Sequence, residues 1–382
     1  MTGEGRVHHA LHLPVFLTKS FLMRIIFIAA FLLFSIVVCA QQKTNNVFII
    51  TLDGFRWQEL YAGADSALIG NKDYVRNTEE LTSRFWKPTP EQRRETLMPF
   101  FWSTIARQGQ LYGNRKYGNM VNCSNTMWFS YPGYNEILCG FADDARINSN
   151  DKKDNPNVTV LEFLNNTPAF KGKVAAFGSW DVFPFIVNEK RSGVPVNAGY
   201  EKATGDINER EKLLNEMQFQ IPPDWGSVRF DAFTHHYALE YVKKHTPRVV
   251  YVAYGETDDF AHGGHYDSYL KSAWQTDQFI KELWEWAQSH PQYKDQTTFI
   301  ITTDHGRGTV PLDTWRSHGD EVSGADQIWL AVIGPDTPAL GEVKSRAQYY
   351  QNQVAKTAAA FLKVEYKNEK KVGEPVSAMM KK

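Results

Sequence analysis

The chain has 382 residues, 42% of them apolar, and 42 basic against 43 acidic side chains for a formal net charge of −1. That length and apolar content suit one large α/β domain with an insertion, or two domains. Near-neutral charge without a long basic run gives no support for nucleic-acid binding as the main activity. Aromatic residues make up 14%, with 11 Trp, enough for a well-packed core and an aromatic-lined cleft.

Met23-Arg24 opens an uncharged run to residue 40 that ends Val37-Val38-Cys39-Ala40 before Gln41-Gln42-Lys43. A positive residue, a short apolar core and small residues before a polar start describe a secretory signal peptide cleaved after Ala40. The mature protein is then expected to be periplasmic or extracellular. The run is short for a spanning helix, and Val38 stands where bacterial lipoproteins carry a small residue before the cysteine. A lipoprotein or membrane anchor through Cys39 is therefore the lesser alternative. Met23 reads as the start, with residues 1–22 an upstream extension. Beyond the cut remain Cys123 and Cys139, free to pair in an oxidising compartment, and no Cys-x-x-Cys spacing. A metal site would have to use His and carboxylates.

Residues 41–382 read as one catalytic domain. Residues 46–52 form a buried, β-branched strand that runs straight into Asp53-Gly54. A polar stretch over 62–95 follows, then helical spacing over 98–108, a strand at 110–112 and turns over 113–132. Residues 134–138 begin a helix, 158–164 form a short one, and 173–178 a strand. The Gly- and Pro-punctuated stretch 185–228, with a helical piece at 207–217, is expected to be an insertion or cap. A helix over 231–244, a strand over 248–254 and a long amphipathic helix over 270–289 come next. Strands at 297–302 and 327–333 and a helix at 351–362 complete the pattern. Strands alternating with helices predict an α/β fold, a three-layer αβα sandwich around a mostly parallel sheet.

The chemistry lies at the strand ends, where open parallel sheets bind ligands. One strand ends in Asp53. A second runs into Gly255-Glu256-Thr257-Asp258-Asp259-Phe260-Ala261-His262. A third ends in Asp304-His305-Gly306, and Arg316-Ser317-His318-Gly319 follows. Any one of these has a bland explanation as a solvated turn. Together they deliver enough oxygen and imidazole ligands to one sheet edge for a pair of divalent ions, imidazole favouring zinc.

The constellation resembles the alkaline phosphatase superfamily, most closely its nucleotide pyrophosphatase/phosphodiesterase-like branch. The matching pieces are Thr51-Leu52-Asp53-Gly54-Phe55-Arg56, Ser130-Tyr131-Pro132 with Gly140, Glu256-Thr257-Asp258 with His262, Asp304-His305-Gly306, and His318-Gly319, in the family's order. The resemblance implies an alkaline phosphatase-like fold and an exported two-metal hydrolase of small phosphate esters or nucleotides. One metal would be held by Asp258, His262 and His318, and the other by Asp53, Asp304, His305 and the oxygen of Ser130. Ser130 would be the nucleophile, where the branch usually has threonine before Phe-Pro-Asn. Phosphate contacts are expected from Asn148, Asn150 or Asn135, with Arg307 as a further cation. Trp57, Trp128 and Tyr131 are candidates to stack a base or aryl group. Diesters or nucleotide pyrophosphate bonds are slightly preferred over monoesters.

Sulfatases share this fold, but their motif needs arginine where Tyr134 stands. A non-catalytic binding protein of the same fold would be expected to have lost ligands that are all present here. Export makes the role of a related phosphoglycerate mutase an unlikely fit.

Overall fold

The computed structural model describes residues 1–7 and 42–381. The cleavage signal expected over 23–40, with Cys39, lies outside them. Met1–Gln42 with Lys382 is one unit, in which residues 1–7 carry no regular structure, and Lys43–Lys381 is the other.

In the larger unit the strands are β1 (Asn46–Leu52), β2 (Gln110–Tyr112), β3 (Asn119–Asn122), β4 (Val174–Gly178), β5 (Val196–Ala198), β6 (Val249–Tyr254), β7 (Thr297–Thr302), β8 (Gln327–Ile328), β9 (Leu330–Ile333), β10 (Gly341–Glu342) and β11 (Ala347–Tyr350). The main sheet runs β10-β2-β9-β7-β1-β6-β4-β5, and a small one runs β11-β3-β8. The main sheet is parallel except where β9 meets β2 and β7. Its central strands are buried along their whole length, which is why they read as continuous apolar runs rather than alternating ones.

Alternation still sorts their side chains. Phe48, Ile50, Val250, Val252, Phe299 and Ile301 join one apolar layer, whereas Val47, Ile49, Val249, Tyr251 and Ile300 join the other. Five helices matter for the site: α1 (Ser130–Cys139), α2 (Asp231–His245), α3 (Glu256–His262), α4 (Tyr266–Ser289) and α5 (Val354–Phe361). α2 and α4 pack into the first layer, α1 and α5 into the second. The expected α/β sandwich with a mostly parallel sheet is what the chain forms.

Three local expectations change. The single strand expected over 327–333 is two, one in each sheet. Buried Trp329 stands at the crossing, its indole N–H donating to the carbonyl of Phe55 at 2.8 Å. Within 185–228, residues 196–198 are the edge strand β5, and the helical piece runs Glu209–Gln220 behind an Asn208/Glu211 capping box. Cys123 and Cys139 are both buried and unpaired. Cys123 Sγ lies 3.5 Å from the carbonyl oxygen of Asp304, and Cys139 Sγ 3.8 Å from Asn155 Nδ2.

Candidate metal centre

β1, β6 and β7 lie side by side in register, so their carboxyl ends open at one level. Asp53 leaves β1 with its N–H on the carbonyl of Tyr254, and the Thr257 hydroxyl donates to the Asp53 carbonyl. Gly54, at φ +56°, turns the chain so that its N–H donates to Asp304 Oδ1 at 3.0 Å. Tyr134, four residues along α1 from Ser130 and so on the same face, donates its hydroxyl to Asp53 Oδ2 at 2.8 Å. These bonds leave Asp53 Oδ1 and Asp304 Oδ2 buried without partners.

His305 Nδ1 lies 2.9 Å from the carbonyl of Gly306, an arrangement that puts the ring proton on Nδ1 and leaves Nε2 as a lone pair. Three oxygens surround that Nε2: Asp53 Oδ1 at 3.3 Å, Asp304 Oδ2 at 3.5 Å and Ser130 Oγ at 3.5 Å. Ligand bonds of about 2.0–2.1 Å in a tetrahedral shell place neighbouring ligand atoms about 3.3 Å apart. The unpartnered oxygens, the fixed tautomer and the spacing fit a dication.

The second cluster is built on one turn of α3. Asp258 Oδ2 is 3.1 Å from His262 Nε2, which is 2.9 Å from His318 Nε2. His318 Nε2 is in turn 3.7 Å from Asp258 Oδ1, and its Nδ1 is buried without a partner. Gly255 at the head of α3 is held by Asp231 of α2, whose Oδ1 accepts its N–H at 2.7 Å. Asp258 Oδ1 is also 3.6 Å from His305 Nε2, so the two clusters adjoin.

Charge follows the same division. Burial, then the neighbouring Asp258, pushes the Asp53 carboxyl well above its usual range, and burial with Asp53 does the same to Asp304. Burial also pushes Asp258 upward, but the Arg307 guanidinium, helped by His262 and His318, overrides it and holds Asp258 well below the usual range. Burial and His305 keep His318 well below an ordinary imidazole, in the neutral form a metal needs.

Arg307 is fully enclosed. It donates to the carbonyls of Gly54 at 3.2 Å, Arg316 at 2.7 Å and Asp258 at 3.1 Å, and it pairs with Asp258 Oδ1. Its donors are spent on Asp258 and on three backbone carbonyls.

The other expected contacts divide. Asn150 Oδ1 accepts the Tyr131 N–H at 3.0 Å, at the start of α1 beside Ser130. Asn148 is exposed. Asn135 is buried within an asparagine network, its Oδ1 accepting from Asn155 at 3.2 Å and Asn157 at 3.0 Å, and does not reach the site. Tyr131 is buried, its hydroxyl donating to the carbonyl of Lys153 at 2.7 Å, so its ring is not available to stack. Trp57 and Trp128 are half-buried. Trp57 donates to Gln327 Oε1 at 3.0 Å, and Trp128 sits at φ +50° with its N–H on Asn125 Oδ1.

Sequence reasoning missed Tyr134, although its spacing from Ser130 was a readable signal, and Gly133. A Cβ at Gly133 would lie 2.3 Å from the Asp304 carbonyl oxygen. That close approach leaves no room for a side chain at this position in the chain. A third group, His235, His236 and Glu282, also clusters. There, His235 Nδ1 meets the Tyr254 hydroxyl and its Nε2 meets Glu282, while Arg210 lies on His236 Nδ1, so the nitrogens are largely spoken for.

The sequence model of the type I phosphodiesterase / nucleotide pyrophosphatase family matches residues 66–380; Asp53 precedes that span. No curated protein has a significant sequence match to the chain. Among solved structures, the alkaline phosphatase PafA is similar at 10% identity and a TM-score of 0.59, over 88% of this chain and 99% of that one. A 2-O GAG sulfatase is similar at 11% identity and 0.55, over 88% and 74%. The lipoteichoic acid synthase LtaP from Listeria monocytogenes is similar at 12% and 0.54, over 86% and 74%. At these identities the likeness is one of fold.

Proposed function

Since the chain belongs to the type I phosphodiesterase / nucleotide pyrophosphatase family, we propose that it is a two-metal hydrolase of phosphate esters, favouring diester or nucleotide pyrophosphate bonds, with Ser130 as nucleophile. The observation that carries this reading is the position of Ser130 Oγ, 3.5 Å from His305 Nε2 and alongside two unpartnered carboxylate oxygens. Asp53, Asp304 and His305 would hold one cation, and Asp258, His262 and His318 the other; zinc suits the imidazoles. Bound there, the cations supply a lowered hydroxyl pKa and counter-charge for the phosphoryl oxygens.

The chain's own groups do the rest. Ser130 stands at the first position of the ten-residue α1, where the helix end favours an anion. Asn150 Oδ1 accepts the next N–H, which supports its Nδ2 amide as the neutral phosphate contact. The Ser130 oxygen attacks phosphorus in line and one ester oxygen leaves. Water then displaces serine from the seryl phosphate, which for a diester substrate still carries its second ester group, and a proton from that water restores the Ser130 hydroxyl.

Because Arg307 is committed to Asp258, it adds no free charge facing the phosphate. A diester, with one charge, needs less counter-charge than a dianionic monoester. The sulfatase alternative lacks its arginine: Tyr134 occupies that place and donates to Asp53. Export is proposed from residues 23–40, and a mature N-terminus at Gln41 would support it.

Rates on bis-p-nitrophenyl phosphate, p-nitrophenyl phosphate and p-nitrophenyl sulfate test the reading. The bis ester should turn over fastest and the sulfate not at all; turnover of the sulfate alone would sink it. Ser130→Ala should keep its metals and lose about 10³-fold or more in kcat.

A further inference from the structure

The two clusters are alike in ligand number but not in charge. Asp53, Asp304 and His305 carry two negative charges and, among the described residues, form no ion pair with a lysine or arginine. Asp258, His262 and His318 carry one, and the Arg307 guanidinium cancels it by contact. We propose that the Asp53–Asp304–His305 site binds its cation tightly, that the Asp258–His262–His318 site is weak and exchangeable, and that Arg307 sets the difference.

Three further observations carry this. First, Arg307 competes for Asp258 Oδ1 directly, and a dication arriving there meets a fixed positive charge. Second, the guanidinium cannot swing away, since the carbonyls of Gly54, Asp258 and Arg316 hold its other donors. The fold reserves space for the pair: at Gly54, φ +56°, a Cβ would lie 2.8 Å from Asp258 Oδ1 and 2.9 Å from Arg307 Nε. Third, the sites differ in access. The His262 side chain is 47% exposed, whereas those of Asp304 and His305 are 0% exposed. A ligand open to water on a shell of low charge lets a cation leave. The occupancy of the second site, and with it turnover, then follows the free metal concentration around the protein.

The inference rests on the two-metal reading, and one titration separates their failures. Chelator-stripped protein is titrated with Co²⁺, reading bound metal per chain after gel filtration and the cobalt absorption bands. The expected result is one tight equivalent, lost in Asp304→Asn, and a second at least about 10-fold weaker, lost in His262→Ala. Arg307→Met should tighten the second equivalent by about 10-fold or more, because it removes a fixed positive charge in contact with Asp258. Arg307→Lys, which keeps the charge, should not tighten it. An unchanged first equivalent shows that the variant is folded. Where no Arg307 variant folds, the wild-type isotherm, assigned with His262→Ala, still decides which site is tight and which weak. Equal affinities, a tighter Asp258 site, or a second site weakened by Arg307→Met would each overturn the inference. No metal bound at all would overturn the two-metal reading instead.

Discussion

Tyr134 shows how much one hydroxyl can decide. Its ring packs edge-to-face on Phe183, with centroids 4.8 Å apart, and phenylalanine would preserve that packing. What Tyr134→Phe removes is the donor on Asp53 Oδ2, leaving both oxygens of a buried carboxylate without a hydrogen bond. Groups that orient metal ligands are typically worth about 10–100-fold in metal affinity or activity. Tyr134→Phe should therefore weaken the Asp53–Asp304–His305 site by that order and leave the Asp258 site nearly unchanged, read by metal titration of the variant and the wild type side by side. Equal loss at both sites would mean that the hydroxyl supports the fold rather than Asp53.

At the scale of elements, the site depends on how closely α1 approaches the end of β7. Gly133 is the contact point, and its obstacle is the backbone carbonyl of Asp304, which cannot rotate away as a side chain would. Gly133→Ala should destabilise the protein by about 1–3 kcal/mol, the usual cost of forcing a methyl into a packed contact, and lower kcat by moving Ser130 from His305. A denaturation midpoint and a rate measure the two effects; full activity at wild-type stability would remove α1 from this role. The same contact marks the limit of what the sequence made legible. Buried parallel strands advertise themselves as β-branched runs, and the candidate ligands that follow them, with His318 a loop later, were readable as such, so Asp53, Asp258, His262, Asp304, His305 and His318 could be grouped from the sequence. Arg307 could not be placed, because its partners come from three other segments. Asn135 and Tyr131 looked like site residues only because they are near Ser130 in sequence; in α1 they face Asn155, Asn157 and the Lys153 carbonyl. The break at Trp329 was hidden for a similar reason, since the indole's partner, the carbonyl of Phe55, is far away in the chain.

For the whole molecule, the proposed ligands come from the ends of β1 and β7, from α3 and from the turn at His318, so cations bound there would tie together segments far apart in the chain. Without metal, Asp53 and Asp304 are buried facing each other with pKa values raised above the usual carboxylate range of about 3.9. A raised folded-state pKa means that the folded form binds more protons than the unfolded one. Stability from these groups is thus full at low pH and is lost as pH rises through the raised values. Asp277 on α4, pushed up to about 7 by burial while accepting the N–H groups of Phe100 and Phe101, has the same sign but lies away from the ligands. At these three carboxyls chelated protein should therefore lose stability as pH rises, the Asp277 share near pH 7, while His318, held below an ordinary imidazole, contributes in the opposite sense. Zinc, taking the place of protons on Asp53 and Asp304, should recover their share of that loss and leave the share due to Asp277. At 100 times its Kd a bound ion adds about 2.7 kcal/mol, and protons compete with it at pH 5. The rise in Tm on adding zinc should accordingly be larger at pH 8 than at pH 5. Equal rises at the two pH values would show that the cation does not replace protons on these carboxylates.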